Sequence, residues 1–272
     1  MGYNLCNKMC RRRQRYGMLD LIHARQVFDE YLEQFDKKDG KIHLKIVHTE
    51  GVIRCAQDIC KRMNLSEEDC RLAELVALLH DIGRFEQLRL YDSFEPTVMD
   101  HAAFGVQLLF GREKMIRQFI SENKWDDIIR QAIARHSDFS VGEGLSSREL
   151  LHARIIRDAD KLDNCRVKLE EKMEVMLECS PEEVGSQAIS PEVWRACLEH
   201  SSIHAASRKT KIDYWISYIA YFFDINYRET CEIILENHYV DKIIERIPYS
   251  NPDTERKMRE LKGMLTAYLK NS

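Results

Sequence analysis

Residues Leu72–Gln87 read LAELVALLHDIGRFEQ. Leu72, Leu75, Val76 and Leu79 fall three and four apart, the spacing of one buried helix face. The run then closes on His80 and Asp81, two side chains that demand polar partners. A buried carboxylate beside a buried imidazole costs several kcal/mol unless something pairs with it. A divalent cation supplies that pairing. Adjacent side chains diverge by about 100° on an ideal helix, but near a helix end both can turn toward one ion. The start of this helix is legible in NLSEED (64–69): Ser66 caps it, and Glu67, Glu68 and Asp69 suit the positive end of its dipole. Gly83 reads as its stop signal.

Outward from this stretch, the 272 residues show helical spacing and no sustained strand alternation. Glycine (11) and proline (5) are scarce enough for an all-α chain. Helices are predicted at about 20–36, 43–63, 66–82, 100–110, 112–122, 125–136, 148–179, 191–206, 210–224, 227–247 and 253–270. Residues 84–96 read as a loop with partial helix, 137–147 as a loop, and 180–192 as a break within one compact unit. The expected organisation is a single-domain helical bundle. Residues 1–17 form a disordered extension, 18–180 a helical core, and 181–272 additional C-terminal helices packed on that core.

The composition, 44% hydrophobic and 32% charged, is that of globular protein. A net charge of −4 gives no support for binding a nucleic-acid polymer. A nucleotide needs only a local cluster of Arg and Lys. The nine cysteines are odd in number and contain no CxxC pair. With no secretory signal segment, they point to reduced thiols and a cytoplasmic setting. No run approaches the ~18 apolar residues of a membrane span.

Two further phrases repeat the logic of the doublet. His48 stands in HTEGVIRCAQDI on the preceding helix. Asp160 stands in RIIRDADKLDN, where Ile155, Ile156 and Ala159 mark a buried face. A lone helical histidine is ordinarily a surface or hydrogen-bonded core residue; the ordered set changes that reading. It resembles the H…HD…D pattern of the HD-domain metal-dependent phosphohydrolases. The likeness covers about residues 40–170, with LAELVALLHDIGRFEQ, DHAAFGVQLL, IARHSDF and IIRDADKLDN in order. It implies a helical bundle around a metal site with His48, His80, Asp81 and Asp160 as ligands. His101, in HAAFG, and His136, in IARHSD, stand where two-metal members carry additional histidines. Ser137 follows His136 where that pattern has a second histidine. A second metal, phosphate binding and protonation of a leaving group all remain open for His101 and His136.

A mixed imidazole and carboxylate shell suits a divalent transition metal: Mn, Fe, Co, Ni or Zn. One ion is expected, with room for a second. Such an ion would activate water near neutral pH, and Asp81 would both hold the metal and orient that water. Arg84 and Lys161 read as catalytic phosphate contacts, with ion pairs to Glu86 or Asp163 as the alternative. Arg208 and Lys211, in SRKTKIDYW, either bind a substrate phosphate or begin a solvated helix. Asp163, three residues after Asp160, reads as a support for the ligands. His23, His43, His152, His200, His204 and His238 have no supporting context.

The function expected is hydrolysis of a phosphomonoester or phosphodiester, on a nucleotide or a related small phosphorylated molecule. The alternatives are a non-catalytic nucleotide-binding sensor or scaffold on the same fold, and a metal-dependent oxygenase.

Overall fold

Side-chain caps set the starts of four helices in the N-terminal half of the molecule. A computed structural model describes residues 19–95 and 97–272. The extension predicted at 1–17 lies outside the described residues. Asp20 caps α1 (Leu21–Leu32) and Asp39 caps α2 (Gly40–Arg62), each carboxylate accepting from backbone N–H groups of the first turn. Ser66 caps α3 (Glu67–Leu79), whose first turn carries Glu67, Glu68 and Asp69. Asp100 caps α5 (His101–Phe110).

The doublet lies between two helices, not at the end of one. α3 stops at Leu79, short of the predicted end near Ile82, and α4 (Ile82–Tyr91) begins directly after Asp81, giving the partial helix predicted within 84–96 a defined extent. Asp81 is the N-cap residue of α4, yet its side chain makes no capping hydrogen bond. Gly83 therefore terminates nothing. It lies in the first turn of α4, where a Cβ would come within 2.2 Å of the His101 carbonyl oxygen. The missing side chain lets α4 and α5 approach closely.

Beyond α6 (Ile116–Phe119) and α7 (Asp126–Arg135) runs the longest helix, α8 (Ser147–Glu170), opened by a reciprocal Ser146–Glu149 capping box. The helix predicted at 112–122 contracts to the four residues of α6. Short helices α9 (Met173–Leu177), α10 (Pro181–Ser186) and α11 (Pro191–Leu198) follow, then α12 (Lys211–Ala220), α13 (Arg228–Glu236), α14 (Tyr239–Glu245) and α15 (Pro252–Asn271). The helix predicted at 227–247 is broken because His238 adopts a left-handed conformation, φ 55°. No strand occurs among the described residues.

Helix α8 is the axis of the packing. It meets α2, α3 and α7 on one side and α13 and α14 on another. Ile155, Ile156, Ala159, Leu162 and Cys165 line its buried faces, each at most 3% exposed. The seven described cysteines are free thiols. None of the described helices is long and apolar enough to cross a membrane.

Candidate metal centre

Four helices and their ends deliver imidazole and carboxylate groups to one buried point. α2 contributes His48, the α3–α4 junction His80 and Asp81, α5 His101, the end of α7 His136, and α8 Asp160. The four histidines are each at most 5% exposed. They divide into two groups able to hold an ion: His48, His80 and Asp160, and Asp81, His101 and His136. Within each group the ligand atoms lie within 4.8 Å of one another. Of the expected shell, His48, His80 and Asp160 fall in the first group and Asp81 in the second. Asp81 lies between α3 and α4, within reach of α5 and α7. Its Oδ1 lies 3.3 Å from His101 Nε2 and 3.6 Å from His136 Nε2. Its Oδ2 lies 3.7 Å from His80 Nε2, so one carboxylate faces both groups.

The imidazoles are oriented from behind. His80 Nδ1 lies 2.7 Å from the Ala77 carbonyl oxygen, and His136 Nδ1 2.7 Å from that of Ile133. His48 Nδ1 lies 2.8 Å from Asp163 Oδ2. A proton on each Nδ1 leaves the Nε2 lone pair facing the site, the form a metal takes. Asp163 reaches His48 because Gly51, one turn further along α2, has no side chain: a Cβ there would lie 1.8 Å from Asp163 Oδ1. Arg166 fixes the same carboxylate through two hydrogen bonds of 2.9 Å. Arg157 ties the end of α7 to α8, donating to the carbonyl oxygens of Arg135 and His136 at 3.0 and 3.4 Å.

Protein groups alone do not satisfy this arrangement. His80 Nε2 is fully buried without a hydrogen-bond partner. His101 Nε2 and His136 Nε2 lie 3.0 Å apart. Two nitrogens about 2.1 Å from one cation, at right angles, are separated by about that distance. Among protein atoms the His101 Nε2 position is conflicted, since Asp81 calls for a proton there and Arg84 Nη2, 3.0 Å away, calls for a lone pair. The donor set and the orphaned nitrogen both fit a divalent cation.

The electrostatics agree with that reading. Burial pushes His80 and His101 down to about 4, against the pull of Asp81, so both are neutral at physiological pH. Burial alone would raise the Asp81 carboxyl. The Lys45 ammonium, the largest of the opposing influences, holds it well below the usual carboxylate range. The Asp160 carboxyl is likewise held low by His48, against its burial. His48 is shifted up because hydrogen bonds to Asp160 and Asp163 overcome burial and the charge of Lys45.

A cavity of about 180 Å³ opens beside His48. Lys45, Arg84, Phe94, Asn164, Lys168 and Tyr218 line it, with Leu44, Val167, Val175 and Met176 as apolar wall. Of the basic residues singled out by sequence, the structure brings only Arg84 to this wall. Arg84 donates to Gln87 and to the Phe94 carbonyl oxygen, not to Glu86, which pairs with Arg89. Lys161 turns away and is held by the carboxylate and carbonyl of Asp224. Neighbours on a helix diverge by about 100°, so Lys161 cannot share the face of Asp160. Arg208 stacks on Tyr214, 4.4 Å from the ring, one turn before Tyr218. Lys211 acts electrostatically on Cys179 and is not part of the cavity wall.

Lys45 and Lys168, rather than Lys161, bring positive charge to the cavity wall. Lys45 Nζ lies 2.7 Å from Asp81 Oδ2. Both were legible in the helix period: Lys45 precedes His48 by three, and Asn164 and Lys168 follow Asp160 by four and eight. Asn164 donates to Asp160 Oδ1 at 2.9 Å.

Against protein-family models, residues 46–165 match the HD domain. No curated protein and no solved structure gives a match.

Proposed function

We propose that the chain, whose residues 46–165 match the HD domain, is a metal-dependent phosphohydrolase that acts on a phosphomonoester or phosphodiester bond of a nucleotide or a related small phosphorylated molecule. The observation that carries this reading is the pair of His/Asp groups joined by Asp81 at the edge of a cation-lined cavity. His48, His80 and Asp160 would hold one divalent transition metal, and Asp81, His101 and His136 a second. A metal bound there lowers the pKa of its water and neutralises charge on a phosphoryl oxygen. Imidazole in both groups favours Mn, Fe, Co, Ni or Zn over Mg or Ca.

The chain's own residues supply positioning and charge. Lys45 keeps Asp81 ionised, so it is available to a cation and to an attacking water. Arg84, largely buried at the cavity wall, lies where it can meet a phosphoryl oxygen. Phe94 and Tyr218 offer flat apolar surface to the organic part of a substrate.

The test combines metal analysis of the purified protein with a panel of phosphomonoesters and phosphodiesters assayed with Mn, Fe, Co, Ni or Zn. The expected result is bound metal and turnover abolished by chelator. Failure to bind metal, and no hydrolysis with any of the five ions, would sink the reading. Nucleotide binding without turnover would replace it with that of a sensor or scaffold on the same fold.

A further inference from the structure

Lys168 is a buried cation for which the metal chemistry has no use. It is 4% exposed and lies on α8 two turns beyond Asp160. Its one hydrogen bond goes to Asn164 Oδ1, 3.2 Å away. Its ammonium lies 4.5 Å from the centre of the Tyr218 ring and 5.4 Å from that of Tyr221. No carboxylate forms an ion pair with it among the described residues. Every other lysine bordering this site has one: Lys45 has Asp81, and Lys161 has Asp224. An ammonium withdrawn from water without a counter-charge is costly, and a fold keeps one only against some compensation.

The two tyrosine rings give part of that compensation, and the cavity points to the rest. Lys45, Arg84 and Lys168 all line it, and no Asp or Glu does. Arg84 Nε is buried there without an acceptor. Lys168 and the metal groups are joined through Asn164, which donates to Asp160 and accepts from Lys168. An anion in this cavity would therefore lie against two unsatisfied donors while bordering His48.

We infer that Lys168 and Arg84 form the receptor for a phosphate dianion, so that the site takes phosphomonoesters in preference to diesters. This rests on the hydrolase reading above and narrows it. A phosphomonoester carries a charge of about −1.5 to −2 near pH 7 and three acceptor oxygens, enough to meet both cations and the metal edge. A diester carries one charge and a second carbon substituent. That substituent would have to lie against the Lys168 ammonium or the Arg84 guanidinium, leaving a buried donor still without an acceptor.

The test uses the metal-loaded protein with p-nitrophenyl phosphate and bis(p-nitrophenyl) phosphate, and the variants Lys168→Met and Lys168→Arg. Wild type is expected to favour the monoester in kcat/KM. Lys168→Met should lower monoester kcat/KM about 10- to 100-fold and change the diester by less than about 3-fold, with Lys168→Arg recovering most of the loss. Calorimetry with inorganic phosphate gives a readout apart from turnover: Lys168→Met should weaken binding about 10- to 100-fold at unchanged metal content. Because it removes an unpaired buried charge, Lys168→Met should melt no lower than wild type. A diester preference in wild type, equal losses on the two esters, or unchanged phosphate affinity would overturn the inference. If neither ester is hydrolysed but phosphate binds through Lys168, the receptor stands and the hydrolase reading alone falls.

Discussion

Asp81 and Asp158 are both buried carboxylates, 3% and 0% exposed, and their surroundings could hardly differ more. Asp158, on α8, accepts from the backbone N–H groups of Asn226 and Tyr227 at 3.0 Å each and from Asn226 Nδ2 at 2.7 Å. These donors carry their protons at any pH, and they belong to the segment leading into α13. Asp81 faces Lys45 and the Nε2 atoms of three histidines. At least one of those histidines, His80, presents a lone pair that no donor among the described residues meets. One carboxylate is completed by the fold; the other belongs to a group that could hold an ion. Burial of a polar group is thus weak evidence of function by itself; the kind of partner decides.

The sharpest way to break this contrast is Asp81→Ala. Loss of a carboxylate facing both His/Asp groups should lower metal-dependent turnover by about 1,000-fold or more. Stability of the metal-free protein should change by about 1 kcal/mol, because the histidines are oriented from behind and Lys45 can turn to the cavity. Metal analysis, steady-state kinetics and melting curves report the three quantities. Retained metal and turnover would show that Asp81 is a structural group like Asp158.

Asp158→Ala should give the opposite pattern. It strands the three donors of Asn226 and Tyr227, a cost of about 3 kcal/mol, or about 6–12 °C in Tm for a chain of this size. Metal content should persist, since Asp158 touches neither group. Calorimetric melting beside metal analysis would show it; a variant that melts normally but loses metal would collapse the distinction.

That distinction sets the limit of what the sequence could reveal. Order and helical spacing were enough to nominate His48, His80, Asp81, His101, His136 and Asp160, because each lies beside an apolar stripe. Periodicity could not show that the chain breaks between His80 and Asp81, since α3 and α4 continue the same apolar run. It therefore could not show which ligands share an ion. Gly83 was misread for the same reason: a glycine needed for close contact with His101 looks like one that ends a helix. The charge beside Asp160 was placed on its neighbour in sequence, Lys161, when a helix puts its neighbours in space four and eight residues on. Asn164 and Lys168 were legible by that rule, whereas the capture of Lys161 by Asp224 depends on tertiary packing, which one sequence does not display.

The histidines offer a milder test of the same contrast, by pH. Burial holds His80 and His101 at about 4, below the unfolded value of about 6.5, so folding favours their neutral forms. Their contribution to stability is fully present above about pH 6.5 and is lost as pH falls toward 4, with a slope of at most about 1.4 kcal/mol per pH unit for each. The raised His48 contributes in the reverse sense, its stability being lost as pH rises above 6.5. Chelator-treated protein should therefore lose Tm steadily from pH 6.5 to 4.5. The double variant His80→Asn, His101→Asn should give a flatter profile over that window. Parallel profiles for the two proteins would mean that the site histidines are not the groups that resist protonation.

The smallest effect belongs to a histidine whose partner is equally well placed but lies in solvent. His23 Nε2 is 2.8 Å from the Gln118 carbonyl oxygen, linking α1 to α6, and the pair is exposed. Water can replace either partner, so His23→Ala should cost about 0.5 kcal/mol or less and leave turnover within about 2-fold. The measured distance matches those around His80 and His136, whose Nδ1 contacts are 2.7 Å. If hydrogen-bond geometry alone determined importance, His23 would rank with them. A loss of stability or activity comparable to that of the buried histidines would show that solvent access does not separate the two kinds of site.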